Sequence, residues 1–278
     1  MKKIALFLSV VLLSAPAHAE VKRVVSLSIC QDVILTHVAD REQIAALSHY
    51  SRDMGRSPIG ALAQTIPITH ESAEEVISLE PDLILASRHS DLATRNALKR
   101  LGIQIELFKE PKTIDESLEQ IRIIARLVNR EARGDALVAE IEEALRKAAP
   151  APGTRPVKAL LFQNNGFSTG SGSLVHEMLT YVGFENMAVR YGLKYWGDIP
   201  LEWVVADPPE VLLAGAVEAN KPTWADRVRR HPALKDIQDH MMRFAFPERF
   251  MDCGGPVLAE SATAMAEARD LVLNKGRQ

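Results

Sequence analysis

Aromatic residues make up only 5% of this chain, and it has just two cysteines, Cys30 and Cys253. Aromatics this scarce make any that face a cleft noteworthy. There is no basic excess: the formal net charge is -3. That argues against a nucleic-acid partner, which would want a basic surface. After the first residues there is no apolar run long enough to cross a bilayer. No dinucleotide glycine fingerprint follows the first β-rich run. Gly170-Ser171-Gly172-Ser173 lacks the Gly-Lys-Ser/Thr ending of a phosphate loop; Ser173 reads as the N-cap of a helix. The eight histidines show no tight metal-binding spacing. Low-complexity tracts are missing too, and 47% hydrophobic with 25% charged residues is an ordinary globular balance.

What is present begins with an export signal. Lys2 and Lys3 precede an apolar stretch at 4–13, and Ala17-His18-Ala19 fits the small-x-small cleavage rule. Residues 1–19 are therefore expected to be a signal peptide, with the mature protein starting at Glu20 in the periplasm.

The first half then alternates short strands and helices. Apolar β-rich runs at 23–28, 44–47, 82–86 and 103–108 are separated by helical spacing at 32–38, 71–79 and 92–101. Such alternation indicates a mainly parallel sheet covered on both faces. From 114 to 148 the helical pattern runs almost unbroken, with Thr113 as N-cap and Glu116 three residues on. Asn129-Arg130-Glu131 is a candidate break into two helices. Across two dozen residues a helix would rise about 35 Å. Strands and helices resume at 157–162, 174–182, 202–206, 211–214, 224–231, 242–245 and 259–273, with 166–172 read as a loop. The expected organisation is an N-terminal α/β lobe at 20–112, a helical connector at 113–149 and a C-terminal α/β lobe at 150–278.

One pattern occurs twice. Glu74 and Glu202 each start a short helical stretch that ends at a proline seven residues on, Pro81 and Pro209. An acid follows each proline, and then an apolar run reads as a buried strand. Two similar halves imply two lobes, and two lobes imply a cleft.

Together with Arg23-Val24-Val25-Ser26-Leu27 at the start and Phe167-Ser168-Thr169-Gly170 in the second half, this repeat resembles a known family. It is similar to the helical-backbone (class III) periplasmic binding proteins of ABC importers for cobalamin, ferric siderophores and haem. The resemblance covers nearly all of the mature chain. It implies an α/β fold of two Rossmann-like lobes with mainly parallel sheets, joined by a long helical connector that limits closure. It implies a monomeric, non-enzymatic receptor that needs no cofactor or resident metal. The receptor would capture a metal chelate or tetrapyrrole and deliver it to an ABC permease dimer. Glu74 and Glu202 match the docking glutamates of the two lobes; the other reading of each is a helix-start acid favoured by the macrodipole.

The resemblance also supplies ligand candidates. Tyr50 matches a cleft tyrosine, the alternative being an exposed loop tyrosine. Phe167 and Trp196 match cleft aromatics that would pack on a flat ligand, or else plug the core of their own lobe. His70, in a cleft-facing loop, would coordinate haem iron or hydrogen-bond a chelate, the alternative being a surface or capping histidine. Arg88 and Arg249 would pair with anionic groups, or lie solvated on the surface. Ser87 stands where cobalamin-binding relatives have a tryptophan, and 247–256 lacks their Asp and Arg at the matching points, which points away from cobalamin. Cys30 and Cys253 are expected to face the cleft from opposite lobes. A disulfide suits an oxidising compartment but would lock the lobes and needs Cα atoms within about 7 Å. Free thiols near the ligand, or ligand contacts, are the alternative. Two competing functions stay open: a receptor for bare divalent metal, and a secreted α/β enzyme with a cysteine nucleophile.

Overall fold

A computed structural model describes residues 21–163, 166–215, 241–251 and 253–275. The expected signal segment at 1–19 and the expected helix at 224–231 lie outside the described residues.

The first sheet has five parallel strands: β1 (Val24–Ser26), β2 (Ile44–Ser48), β3 (Ile68–Thr69), β4 (Leu83–Ser87) and β5 (Gln104–Phe108), in the order β3-β2-β1-β4-β5. Its helices are α1 (Ile29–Val38), α2 (Gly60–Ala63), α3 (Ala73–Ser78) and α4 (Leu92–Arg100). Val24, Val25, Leu83, Ile84 and Leu85 are fully buried. That is the run expected of a strand covered on both faces.

The chain leaves this sheet through α5 (Ile114–Leu127) and α6 (Glu131–Ala148). They do not form one rod. Asn129 takes a left-handed φ of 57°, the Asn129 N–H bonds the Arg126 carbonyl, and the Arg130 N–H bonds the Ala125 carbonyl. This Schellman-type ending turns the chain, and α6 then packs back on α5. Gly134 lies against Ala125 with no room for a Cβ.

The second sheet holds β6 (Val157–Leu161), β8 (Phe184–Asn186), β10 (Val211–Ala214) and β11 (Met242–Ala245), all parallel, in the order β11-β10-β6-β8. Residues 166–172, expected as a loop, contain β7 (Phe167–Thr169), which pairs antiparallel with β9 (Trp196–Asp198). Local sequence did not reveal β7, because its partner lies almost thirty positions downstream and Ser168 and Thr169 read as polar loop. Helices α7 (Leu174–Tyr181), α8 (Met187–Arg190), α9 (Leu201–Ala206) and α10 (Val257–Lys275) complete this half.

The repeated pattern now has a structural meaning. The helix and strand that follow each glutamate, α3–β4 and α9–β10, occupy matching places, with β4 beside β1 and β10 beside β6. The acid after each proline ties the strand it starts to that neighbour. Asp82 Oδ2 accepts the Lys22 and Arg23 N–H groups at 2.9 and 3.0 Å. Glu210 Oε2 accepts the Lys158 N–H at 3.0 Å. Helices α1, α5, α6 and α10 pack on one another between the two sheets, and one apolar core runs from Val24 through Ile121 and Ile141 to Met265. A base so continuous opposes large relative motion of the sheets.

Candidate ligand cleft

The carboxyl ends of the parallel strands of the first sheet face the β7–β9 pair and the start of α7. Between them lies a cavity of about 380 Å3. One wall comes from Ser28 and Gln31 around the start of α1, Ser87 at the end of β4, and Phe108 to Lys112 after β5. The opposite wall is Thr169, Gly172 to Val175, Tyr195 and Trp196, with Met251, Cys253 and Gly254 beside them. Strand ends open here because the loops that leave them carry no ladder hydrogen bonds, so side chains are free to face a ligand.

Cys30 and Cys253 both line this cavity and are joined in a disulfide, their Cα atoms 5.1 Å apart. The objection that opposite lobes hold them too far apart does not apply, because the segment before α10 crosses to the first lobe. Ser117 on α5 accepts the Gly255 N–H at 2.6 Å, and a side chain at Gly254 would strike Ser117. Gly255 has a φ of 68° and lies against Ile34 of α1.

Of the residues singled out from sequence for ligand contact, Trp196 lines the cavity. The structure places Tyr50, His70, Arg88, Phe167 and Arg249 outside its lining. Tyr50 stacks on His49, which in turn lies 4.7 Å from the His70 ring. Arg88 is exposed, its N–H bonded to the Phe108 carbonyl. Phe167 is exposed on β7 opposite Asp198. The Arg249 guanidinium sits 4.8 Å from the Phe250 ring centroid. Glu74 and Glu202 are exposed in the first turns of α3 and α9. At α3 the Ser72 hydroxyl caps the helix by accepting the Glu75 N–H at 3.2 Å, and the Glu75 carboxylate accepts the His70 N–H at 2.8 Å.

Gln31, Lys112 and Tyr195 were not legible as cleft residues. Only Tyr195 carried a signal, its adjacency to Trp196. Thr113 caps α5 by accepting the Glu116 N–H. The Glu116 carboxylate does not return to the cap residue; it accepts the Lys112 N–H at 2.8 Å and the Lys109 ammonium at 2.9 Å. Those two donors hold it below the usual carboxylate range. The cavity edge at 109–112 is thereby fixed to the start of α5.

Just behind Gln31, Asp32 is fully buried. Burial pushes its carboxyl up to about 8, against the opposing pull of the Ser26 and Ser51 hydroxyls and the Ser48 N–H; nearby Glu71 adds to the rise. Ser51 Oγ donates to Asp32 Oδ2 at 2.6 Å, and Ser48 links the two acids by giving its N–H to Asp32 and its hydroxyl to Glu71.

Comparison with known proteins agrees with this architecture. The periplasmic binding protein family model matches residues 24–238, most of the chain. The chain belongs to the periplasmic binding protein family. A cobalamin-binding protein of Halobacterium salinarum is 22% identical to this binding protein over 201 residues, 71% of this chain and 54% of that one. An Fe(3+)-citrate-binding protein of Bacillus subtilis is 27% identical over 169 residues, 59% of this chain and 52% of that one. The match thus spans about half the length of these curated relatives. Among solved structures, the periplasmic heme-binding protein RhuT of Roseiflexus sp. RS-1 superposes with a TM-score of 0.70 at 20% identity, covering 89% of this chain and 99% of that one. The periplasmic vitamin B12-binding protein BtuF of Vibrio cholerae gives 0.67 at 16%, covering 91% and 98%. The fold, with two parallel-sheet lobes on a helical base, is that of the class III binding proteins.

Proposed function

We propose that this binding protein is a monomeric periplasmic receptor, exported through residues 1–19, with lobes at 20–112 and 150–278 joined through 113–149. It captures a metal chelate or tetrapyrrole between the lobes and delivers it to an ABC permease dimer. The observation that carries this reading is the cavity between the lobes, with the Trp196 side chain on its wall. The names of the relatives support the ligand class, since they bind cobalamin, ferric citrate and heme.

Glu74 and Glu202 are the docking points. Each is an exposed carboxylate on a different lobe, and neither has an ion-pair partner among the described residues. Two separated negative points steer and register a two-fold partner. Tyr50, His70, Arg88, Phe167 and Arg249 stay candidates for contact with a ligand that extends beyond the cavity.

A receptor is favoured over an enzyme because the disulfide ties up both thiols that a cysteine nucleophile would need. A bare-metal receptor needs several His, Cys, Asp or Glu side chains converging. Among the described residues no such group of three occurs.

The test is the absorbance spectrum and mass of whatever co-purifies from native periplasm, together with uptake by cells carrying Glu74→Lys and Glu202→Lys. A bound iron complex, haem or corrinoid is expected, with uptake abolished in the double variant and ligand affinity unchanged. Normal uptake in that variant would refute the docking assignment.

A further inference from the structure

Among the described residues, three charged side chains line the cavity, all from the segment that follows β5: Lys109, Glu110 and Lys112. Two of them have a polar side-chain partner. Lys109 pairs with Glu116 at 2.9 Å, and Glu110 lies 3.3 Å from His89 Nε2. Lys112 has no carboxylate within ion-pair distance among the described residues. Its ammonium instead reaches across the mouth of the cleft to the Tyr195 ring, 5.9 Å from the centroid. Its main chain is pinned by Glu116, which places the residue at the cavity edge.

On the facing lobe, Tyr195 and Trp196 are 59% and 64% exposed. Two adjacent aromatics that open, in a chain with so few, form an unfilled face. Their backbone is set by close packing. Gly170 lies directly under the Leu193 carbonyl, and Gly172, with a φ of 81°, takes the Tyr195 ring where a Cβ would meet it at 3.3 Å.

We infer that Lys112 is the specificity-determining residue of this cleft. It selects ligands that carry a carboxylate, while Tyr195 and Trp196 receive the conjugated or chelated body beside it. This rests on the receptor reading above and narrows its ligand class to carboxylate-bearing iron complexes and porphyrins. An ammonium over a ring face at this distance is only weakly held. A carboxylate of the ligand offers a stronger, charge-assisted partner in a site partly closed to water. Neutral chelates gain no charge-assisted partner from Lys112.

The test is tryptophan-fluorescence titration of the mature protein with ferric citrate, haemin, a neutral ferric trihydroxamate and cyanocobalamin, each against wild type, Lys112→Met and Lys112→Arg. Lys112 is exposed, so the variants should fold; circular dichroism checks this. Wild type is expected to prefer the two carboxylate-bearing probes. Lys112→Met should weaken those roughly ten- to a hundredfold, the scale of a lost charged hydrogen bond. It should leave the neutral probe unchanged, and Lys112→Arg should recover most of the loss. Wild-type preference for the trihydroxamate or cyanocobalamin overturns the inference and leaves the receptor reading intact. So does equal binding of ferric citrate or haemin by Lys112→Met. Binding of none of the four overturns both.

Discussion

Cys30, at the start of α1, and Cys253, just before α10, are bonded to each other beside the ligand cavity although 223 positions separate them in the chain. The bond closes a loop that contains most of the protein. Cross-linking so long a loop restricts the unfolded chain and is worth about 2–5 kcal/mol. Reduction, or the double change C30S and C253S, should lower the urea unfolding midpoint accordingly. An unchanged midpoint on reduction would show that the bond adds no stability.

The same bond bears on motion. It reinforces a base in which Gly254 and Gly255 already lie against Ser117 and Ile34. X-ray scattering of the oxidised protein should show little change in radius of gyration when ligand is added, and a larger change after reduction. A wide ligand-driven closure in the oxidised form would contradict the rigid base.

Asp32 makes stability depend on pH. A carboxyl raised in the folded state stabilises fully below its unfolded value of 3.8, and the contribution is lost as pH climbs through about 8. Unfolding midpoints of wild type should therefore fall between pH 5 and pH 9. Asp32→Asn keeps an acceptor for the Ser48 N–H and Ser51 hydroxyl and cannot ionise, so its midpoint should fall less over that window. Parallel curves for the two proteins would show that Asp32 does not titrate there.

Trp196→Ala should weaken ligand binding by about tenfold, since it removes one open aromatic face worth roughly 0.5–1.5 kcal/mol beyond its buried area. Phe167→Ala, at an exposed position outside the cavity lining, should have the smaller effect. Equal affinities for wild type and Trp196→Ala, read by calorimetry, would remove Trp196 from the site.

Gly170→Ala tests how the aromatic wall is built. The added Cβ would strike the Leu193 main chain, which has no flexible end to move aside. A loss of about 1–3 kcal/mol in stability is expected, together with weaker binding as Tyr195 and Trp196 shift. A fully stable variant with native affinity would place the β9 entry elsewhere.

Much of the scaffold was legible in the residues. Runs such as Leu83-Ile84-Leu85 and Val211-Leu212-Leu213, each after a proline and an acid, read as buried parallel strands. Asn129 marked the break between α5 and α6. The site was less legible. The β7–β9 pair, and Lys112 facing Tyr195, join segments distant in sequence, so no local period records them.

The sequence by itself determined the parallel α/β lobes, the duplicated glutamate–proline–acid pattern and the helical link, because hydrophobic periodicity and chain-breaking residues act over a few neighbouring positions. Only the tertiary structure decided that Cys30 meets Cys253, that Lys112 reaches Tyr195, and that Trp196 borders the cavity while Tyr50, His70, Arg88, Phe167 and Arg249 do not. Those outcomes depend on how α1, α5, α6 and α10 pack between the sheets. That packing is a sum of many weak, non-directional contacts among residues far apart in the chain.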